Sequence, residues 1–299
     1  MPSTSTVQAA LTSLAARSPS SPTIICVGGT SGIGEAIARV FTPLVKKPDV
    51  HIVGRSETAA SKIIADLKQD KPDGTYHFHA CDLTLVSEIK TLVEKLRQAV
   101  KQVDYLVLSP GILTLAGRTE TSEGNDRKLM LHYYARMGVI DGLQEKLHSG
   151  SRVLSVLDST RGNPSSLHWD DLDLKTNYSS GNAMKHAVTM TDIALQHLGS
   201  QYPDVKFMHA YPGIVKTPIF HDLPWYARMG ASGISSLLGT EPKVCAEHLL
   251  YAFLAEDTKP YKTGGASFTD NKGDPVKGKV VATQEQQDKV WQHTLQILQ

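Results

Sequence analysis

The feature that most limits what this 299-residue chain can fold into is a regular alternation of short apolar runs with helical patterns. Runs rich in Val, Ile, Leu or aromatic residues lie at 23–27, 50–53, 76–80, 105–108, 152–157 and 205–211, with a further short one at 266–268. Between them apolar residues recur with a helical period, as at Ile89, Leu92 and Leu96. Such alternation is typical of a parallel sheet covered on both faces. It predicts an α/β fold, a single doubly wound domain with about seven parallel strands and helices on both faces.

Two further segments are expected to be helical. Residues 1–21 are rich in Ser, Thr, Ala and Pro but place several apolar residues on one helical face. They predict a short amphipathic helix and a linker, an N-terminal extension ahead of a domain at 22–299. Near the C-terminus, Val290 and Trp291 belong to the apolar face of a last helix. That face is expected either on the chain's own core or at the contact of a homodimer or homotetramer.

Composition excludes several classes of partner. Lys and Arg number 31 against 30 Asp and Glu, and no basic stripe stands out, so nucleic-acid binding is not expected. No apolar run approaches the ~18 residues of a membrane span, so a cytoplasmic protein is expected, with no membrane partner. The three cysteines lie far apart, which suits neither disulfides nor zinc. His77 and His79 alternate on a strand as metal ligands can, but no third ligand stands near them in the sequence, so no metal site is expected.

A glycine-rich loop joins the first strand to the first helix. Residues 27–34 read Val-Gly-Gly-Thr-Ser-Gly-Ile-Gly. Glycines there permit a tight turn and let backbone N–H groups approach a pyrophosphate at the positive end of the helix. Because the loop lies between a strand and a helix of a βαβ unit, it predicts a site for the phosphates of a dinucleotide.

The spacing Gly28-x-x-x-Gly32-x-Gly34 resembles the phosphate loop of the short-chain dehydrogenase/reductase family, with Val27 in place of the usual Thr. Further family landmarks follow in order: Gly54-Arg55, Cys81-Asp82-Leu83, Ser109-Pro110-Gly111 and Tyr211-Pro212-Gly213-x-Val215-x-Thr217. The chain is identified as a divergent member, similar to members from fungal secondary metabolism. The resemblance implies a Rossmann-type domain, a nicotinamide cofactor and a small-molecule substrate.

The resemblance also gives each landmark a role toward the cofactor. The pyrophosphate would be held by Gly28, Thr30, Ser31, Gly32, Ile33 and Gly34. The adenine would lie against Asp82 and Leu83, and the adenosine ribose against Ser109 and Gly111. The nicotinamide ribose would be bound by Lys185, and the nicotinamide would be framed by Pro212, Gly213, Val215 and Thr217. Arg55 ends the second strand, where an acidic residue would bind the ribose 2′-OH of NAD, whereas a guanidinium pairs with a 2′-phosphate. NADP(H) is therefore the expected cofactor.

The catalytic positions depart from the family, which uses an Asn, a Ser and Tyr-x-x-x-Lys. The Asn position falls on His132 and the Ser position on Asp158. With Lys185 taken as the family lysine, Gly181 stands where Tyr is usual, and Tyr178 lies about one helical turn earlier. The expected catalytic set is Asp158, Lys185, His132 and Tyr178, with Asp158 alternatively a turn residue.

This set favours a particular chemistry. Reduction of a ketone builds negative charge on oxygen and needs a proton, which an ionised Asp158 would oppose. An iminium acceptor loses positive charge and needs no proton. The leading hypothesis is an NADPH-dependent reductase of a small organic molecule in secondary metabolism, acting on an iminium or conjugated acceptor and in one version coupled to a cyclisation. Two alternatives stay open: an ordinary carbonyl reductase or alcohol dehydrogenase that uses Tyr178, and a non-redox isomerase, cyclase or nucleotide-binding module.

A substrate lid is expected near residues 218–240. Trp225, Tyr226 and Arg228 follow the Pro-Gly landmark, where the family has its mobile lid. These side chains are expected either to line an apolar pocket over the nicotinamide or to pack against their own domain.

Overall fold

Eight strands form one sheet in the part of the chain that the computed structural model describes, which is residues 4–15, 19–255, 262–263 and 265–299. The strands are β1 (Thr23–Val27), β2 (Asp49–Gly54), β3 (Thr75–Ala80), β4 (Val103–Leu108), β5 (Leu147–Val156), β6 (Lys206–Ala210), β7 (Lys262–Thr263) and β8 (Ala266–Thr269). Their order across the sheet is β3-β2-β1-β4-β5-β6-β8-β7. Seven pair in parallel, which confirms the predicted sheet, and the two-residue β7 adds an antiparallel edge.

Helices connect the strands and cover both faces of the sheet. They are α1 (Thr4–Ala15), α2 (Gly32–Phe41), α3 (Glu57–Asp70), α4 (Val86–Ala99), α5 (Arg127–Leu129), α6 (Ala135–Gly142), α7 (Ser180–Gln201), α8 (Trp225–Leu238), α9 (Pro242–Leu254) and α10 (Gln284–Ile297). A π-helical segment, Met130–Tyr134, joins α5 to α6. Alternate strand residues contribute to two cores, so that Ile24 and Cys26 face one side and Ile25 and Val27 the other.

The predicted N-terminal helix is present and packs on the domain. Val7 and Leu11 of α1 are fully buried and belong to the same core as residues of α9. Gln8 Nε2 donates a hydrogen bond to Glu247 Oε1 at 2.9 Å. An amphipathic helix too short to be stable alone is thus held by tertiary packing.

The last helix packs on its own chain. Trp291 of α10 stacks on His197 of α7, with ring centroids 5.4 Å apart. Tyr133 and Thr294 join their hydroxyls at 2.5 Å, and the Tyr134 hydroxyl lies 2.8 Å from His293 Nε2. Of the two expectations for this apolar face, the structure therefore supports packing on the chain's own core.

The strand order reverses beside β1, whose neighbours are β2 on one side and β4 on the other. Chain connections leave the sheet in opposite directions at such a point, which opens a crevice at the carboxyl ends of the strands. The glycine-rich loop follows β1 at this place.

Candidate functional site

A cleft of about 320 Å³ opens at the carboxyl ends of β1, β2 and β4. Its lining includes eleven of the predicted cofactor residues: Gly28, Thr30, Ser31, Gly32, Ile33, Arg55, Asp82, Leu83, Ser109, Gly111 and Thr217. The lining also includes Pro110 of the Ser109-Pro110-Gly111 landmark, and Pro218, Ile219, His221 and Asp222 from the segment expected as the lid. Ile112 and Leu131 were not predicted, because neither belongs to a motif and only the fold brings them to the cleft.

The glycine loop has a backbone that only glycine accommodates well. Gly28 has φ +79°, and a Cβ there would lie 2.8 Å from the Pro110 nitrogen. The N–H groups of Gly28 and Gly29 both donate to the Val53 carbonyl at 3.0 Å, which fixes the loop to β2. Ser31 precedes α2 without a side-chain cap, so the first N–H groups of that helix are available to an anion.

Gly34 and Ser109 shape the loop from behind. A Cβ on Gly34 would lie 2.4 Å from Ser109 Oγ, so this glycine allows α2 to approach the end of β4. The Ser109 hydroxyl donates to the Val27 carbonyl at 3.2 Å. Gly34 does not line the cleft, and it serves instead the close packing of α2 against the end of β4.

Arg55 and Asp82 each have polar atoms at the cleft that are free to bind a ligand. Arg55 is exposed at its edge and has no hydrogen bond or ion pair within the described ranges. Asp82 uses Oδ1 to accept from the Thr84 N–H at 3.0 Å and the Thr84 hydroxyl at 2.8 Å. Its Oδ2 has no such partner among the residues described, so it can accept from a ligand.

Of the predicted cofactor residues in the landmark 211–217, which follows β6, only one lines the cleft. Thr217 lines the cleft, where a Cβ on Gly32 would lie 3.3 Å from its methyl group. Pro212, Gly213 and Val215 do not line it. Gly213 has φ +74°, Val215 pairs with Thr240 in an isolated bridge, and the Pro212 carbonyl accepts from the Cys245 thiol at 3.6 Å.

His132 lies in the π-helical segment and is buried. Its Nε2 accepts the Ile112 N–H at 3.1 Å, which places the ring proton on Nδ1. Burial, and then the charges of Arg136 and Lys128, lower its pKa to about 3. His132 is therefore neutral, and it holds the loop after Ser109 by accepting a backbone hydrogen bond.

Asp158 sits in a turn just after β5. Its Oδ1 accepts from the Thr160 N–H at 3.1 Å and from the Thr160 hydroxyl at 2.5 Å. Its Oδ2 lies 3.1 Å from Nε of the exposed Arg161. These contacts within the turn match the turn-residue alternative.

Tyr178 and Lys185 also lie outside the cleft lining. The Tyr178 hydroxyl is buried without a hydrogen-bond partner, and Lys128 Nζ lies 5.6 Å from its ring centroid. Burial, and then the neighbouring Asp126, raise its pKa to about 12. Lys185 is exposed on α7. In the described part of the chain, no hydrogen bond or ion pair connects any two of Asp158, His132, Tyr178 and Lys185.

Arg136 is a site residue that sequence reasoning missed. It follows His132 by one helical turn, and its guanidinium is fully buried under the ends of β4 and β5. It donates to the Pro110 carbonyl at 2.5 Å, the Ser155 hydroxyl at 2.8 Å and the Val156 carbonyl at 2.9 Å. Burial lowers its pKa to about 9. Arg136 could have been noticed in the sequence as a charged residue on the apolar face of a helical pattern.

The predicted lid region forms a short 3-10 turn (Pro218–Asp222) followed by α8. The turn lines the cleft, but Trp225 and Tyr226 do not. Their side chains are 69% and 61% exposed, so they do not pack against their own domain either. Both expectations for these aromatic side chains are wrong for this conformation, because α8 turns them to solvent.

The absence of a metal site stays a prediction, but strand pairing brings other candidate ligands to His77, because β2 lies beside β3. Asp49, His51 and His77 bring one ligand atom each to within 4.8 Å of one another.

The fold and the cleft define a dinucleotide-binding α/β protein: a glycine loop at the switch point of a parallel sheet, leading into an uncapped helix. The family model for short chain dehydrogenases matches residues 22–139. The chain belongs to the short-chain dehydrogenase/reductase family.

Similar proteins include two oxidoreductases from Emericella species. Oxidoreductase AN1596 of Emericella nidulans is 39% identical over 222 residues, 74% of this chain and 66% of that protein. Oxidoreductase andH of Emericella variicolor is 37% identical over 196 residues, 64% of this chain and 57% of that protein. The chain thus spans less than two thirds of the length of these curated relatives.

Solved structures share the fold. An alcohol dehydrogenase from the archaeon Thermococcus sibiricus, complexed with 5-hydroxy-NADP, superimposes with a TM-score of 0.62 at 16% identity, covering 88% of this chain and 100% of that one. None of the described helices is long and apolar enough to cross a membrane.

Proposed function

We propose that this protein is an NADPH-dependent reductase of a small organic molecule, and that its active site works without the tyrosine proton donor usual in the family. One observation carries the proposal: none of the side chains at the expected catalytic positions offers an acidic proton to the cleft. His132 is neutral and accepts a backbone N–H, and both Asp158 oxygens are taken up by Thr160 and Arg161. The Tyr178 hydroxyl is buried and its pKa is raised.

The cleft residues fit a dinucleotide with a 2′-phosphate. Gly28 and Gly32 provide space that a side chain would fill, and the start of α2 offers free N–H donors. Arg55 has a guanidinium without an acceptor in the described part of the chain, at the end of β2, where a 2′-phosphate would be held. When bound, reduced NADP supplies a hydride. Lys185 contributes a positive charge on α7 toward its ribose.

The acceptor that suits this site needs no proton from the protein. An iminium carbon that receives a hydride becomes a neutral amine, so atoms and charge balance without an acid. Asp158 would attract and orient the cation by exchanging its ion pair with the exposed Arg161 for one with the substrate. Arg136 fixes the carbonyl of Pro110, which lines the cleft. A conjugated acceptor, or an iminium formed by cyclisation, belongs to the same class.

A single-turnover assay tests this proposal. NADPH oxidation is followed with a pyrrolinium salt and with cyclopentanone, its carbonyl counterpart. We expect the iminium to react faster by about 100-fold or more, the contribution a positioned acid normally makes to carbonyl reduction. Tyr178→Phe should leave the iminium rate unchanged. Faster turnover of the ketone, lost in Tyr178→Phe, would instead establish the ordinary carbonyl reductase.

Asp158→Asn distinguishes the effect of the negative charge at this position from that of the hydrogen bonds within the turn. The asparagine oxygen can still accept from Thr160, while the attraction for a cation is lost. We expect iminium reduction to slow by roughly 10-fold, about the effect of one charge near the reacting centre. An unchanged rate removes Asp158 from the mechanism.

A non-redox protein that binds the nucleotide is the second candidate, favoured by the same lack of an acid in the cleft. NADPH would then quench protein fluorescence but remain reduced with every acceptor. Failure to bind NADPH or NADH at all would overturn both candidates.

A further inference from the structure

We propose that Asp49, His51 and His77 form a binding site for a divalent transition metal of the zinc type at the edge of the sheet. The register of β2 and β3 creates it: His51 lies directly beside His77, and Asp49 beside Thr75. Alternate residues of a strand share a face, so all three side chains project to the same side. The inference does not depend on the proposed function.

The three side chains converge closely enough for such an ion. His51 Nε2 lies 3.3 Å from Asp49 Oδ2, His77 Nε2 lies 3.4 Å from Asp49 Oδ1, and one ligand atom from each residue lies within 4.8 Å of the other two. A tetrahedral zinc site with ligands at about 2.0–2.1 Å has its ligand atoms about 3.3–3.4 Å apart, so a small movement of these side chains would close them around the ion. Two imidazoles and a carboxylate leave the fourth position for water, a ligand set that zinc accepts readily.

An unsatisfied buried nitrogen points to a ligand here. His51 is almost wholly buried, and its Nε2 has no hydrogen-bond partner despite the proximity of Asp49. Buried polar atoms normally have a partner, and a metal ion between the imidazole and the carboxylate would supply it.

The neighbouring residues orient the ligands as they do in established metal sites. His51 Nδ1 lies 2.9 Å from Nε2 of His79, and a proton shared there leaves the His51 Nε2 lone pair for the metal. Asp49 accepts from the Thr75 hydroxyl at 2.7 Å and lies 3.5 Å from the Thr23 hydroxyl. The rings of His77 and His79 stack on His51, with centroids 4.6 and 5.2 Å away, so the half-exposed His77 ring would turn to direct its nitrogen at an ion bound by His51.

His77 is about half exposed, which gives an ion access from solvent.

The position of the cluster suggests a stabilising ion. β3 is the outer strand of the sheet, and the cluster lies toward the start of β2, away from the strand ends that form the cleft. An ion held by ligands from both strands would fix this edge to the rest of the sheet.

Metal titration of the full chain without a histidine tag tests the site. After treatment with a chelator, Co²⁺ is expected to give the visible absorption of a tetrahedral complex, and Zn²⁺ to displace it. Zinc at one hundred times its Kd should raise the unfolding midpoint by roughly 5 °C. Unchanged midpoints with Zn²⁺, or a cobalt spectrum of the hydrated ion, overturn the proposal.

Variants identify the ligands. His77→Gln removes an exposed ligand and should abolish the tetrahedral spectrum and the zinc-dependent shift while preserving the fold. His79→Gln should weaken binding by about 10-fold, as loss of an orienting partner does. His148→Gln is the matched control, since His148 pairs with Asp104 at 3.1 Å outside the cluster. Equal affinity in His77→Gln and the parent, or loss in His148→Gln, contradicts the assignment.

Discussion

Arg55 is the side chain on which cofactor choice depends. Its guanidinium stands at the end of β2 with no acidic neighbour bound to it within the described ranges, so a 2′-phosphate would meet an unpaired cation. Charge-assisted hydrogen bonds of this kind are among the stronger polar contacts.

Arg55→Ala should therefore weaken NADPH binding by roughly 10- to 100-fold and leave NADH binding nearly unchanged. Fluorescence titration with both nucleotides measures the two Kd values. Arg97→Ala is the control, because Arg97 is a surface arginine of α4 that pairs with Glu145. An equal loss of affinity for NADPH and NADH would show that Arg55 does not bind the 2′-phosphate.

His132 makes stability depend on pH. Its pKa is about 3 in the folded protein, where it accepts the Ile112 N–H, and an unfolded histidine titrates near 6.5. Below the unfolded value the unfolded chain takes up a proton that the folded protein does not, so stability falls as pH decreases. The loss attributable to His132 is about 2 kcal/mol between pH of about 7.5 and 5.

His132→Gln keeps an acceptor for the Ile112 N–H but cannot titrate. The free energy of unfolding from urea titrations should fall less steeply with decreasing pH in this variant, by that same amount. Parallel curves for the variant and the parent would mean that His132 has the same pKa in the folded protein as in the unfolded chain.

Helices and strands followed well from sequence because their patterns are local. The apolar runs that form β1 to β6 and β8 recur along the chain, and the glycines after β1 are recognisable because a tight turn there requires them. The π-helical turn at His132 and the buried Arg136 could not be predicted in this way. Both depend on partners from distant segments: His132 accepts the Ile112 N–H, and Arg136 donates to the Pro110 carbonyl and the Ser155 hydroxyl. The proposed metal ligands could not be predicted for the same reason, since strand pairing brings together His51 and His77.

The N-terminal helix illustrates an element whose stability comes from docking. Leu11→Ala should lower the free energy of unfolding by about 2–4 kcal/mol, because the leucine is fully buried against the core that includes α9. Hydrogen exchange should show faster exchange in α1 as well as in the adjoining turns of α9. Thr12→Ala, at an exposed position of the same helix, serves as the control. Equal effects of the two variants would contradict a docked α1.

At the scale of the whole molecule, a cluster of buried charged and polar side chains joins α7, β6 and the segment before α10. Asp192 of α7 contacts Nδ1 of His209 on β6 at 2.6 Å, and Lys279 from the segment before α10 pairs with its other oxygen. All three side chains are almost wholly buried. Lys279 also lies 5.1 Å from the centroid of the Phe268 ring on β8. This cluster ties the C-terminal segment to the centre of the sheet.

Removing one partner of such a pair leaves the other charge buried without compensation. Lys279→Met and Asp192→Asn should each lower the free energy of unfolding by about 3–5 kcal/mol, measured in urea. The double variant should lose less than the sum, because the second change removes the charge that the first left unpaired. Lys289→Met, whose partner Asp170 is fully exposed, should cost less than about 1 kcal/mol. Additive losses, or a cost for Lys279→Met no larger than for Lys289→Met, would show that the buried pair does not hold the C-terminal segment in place.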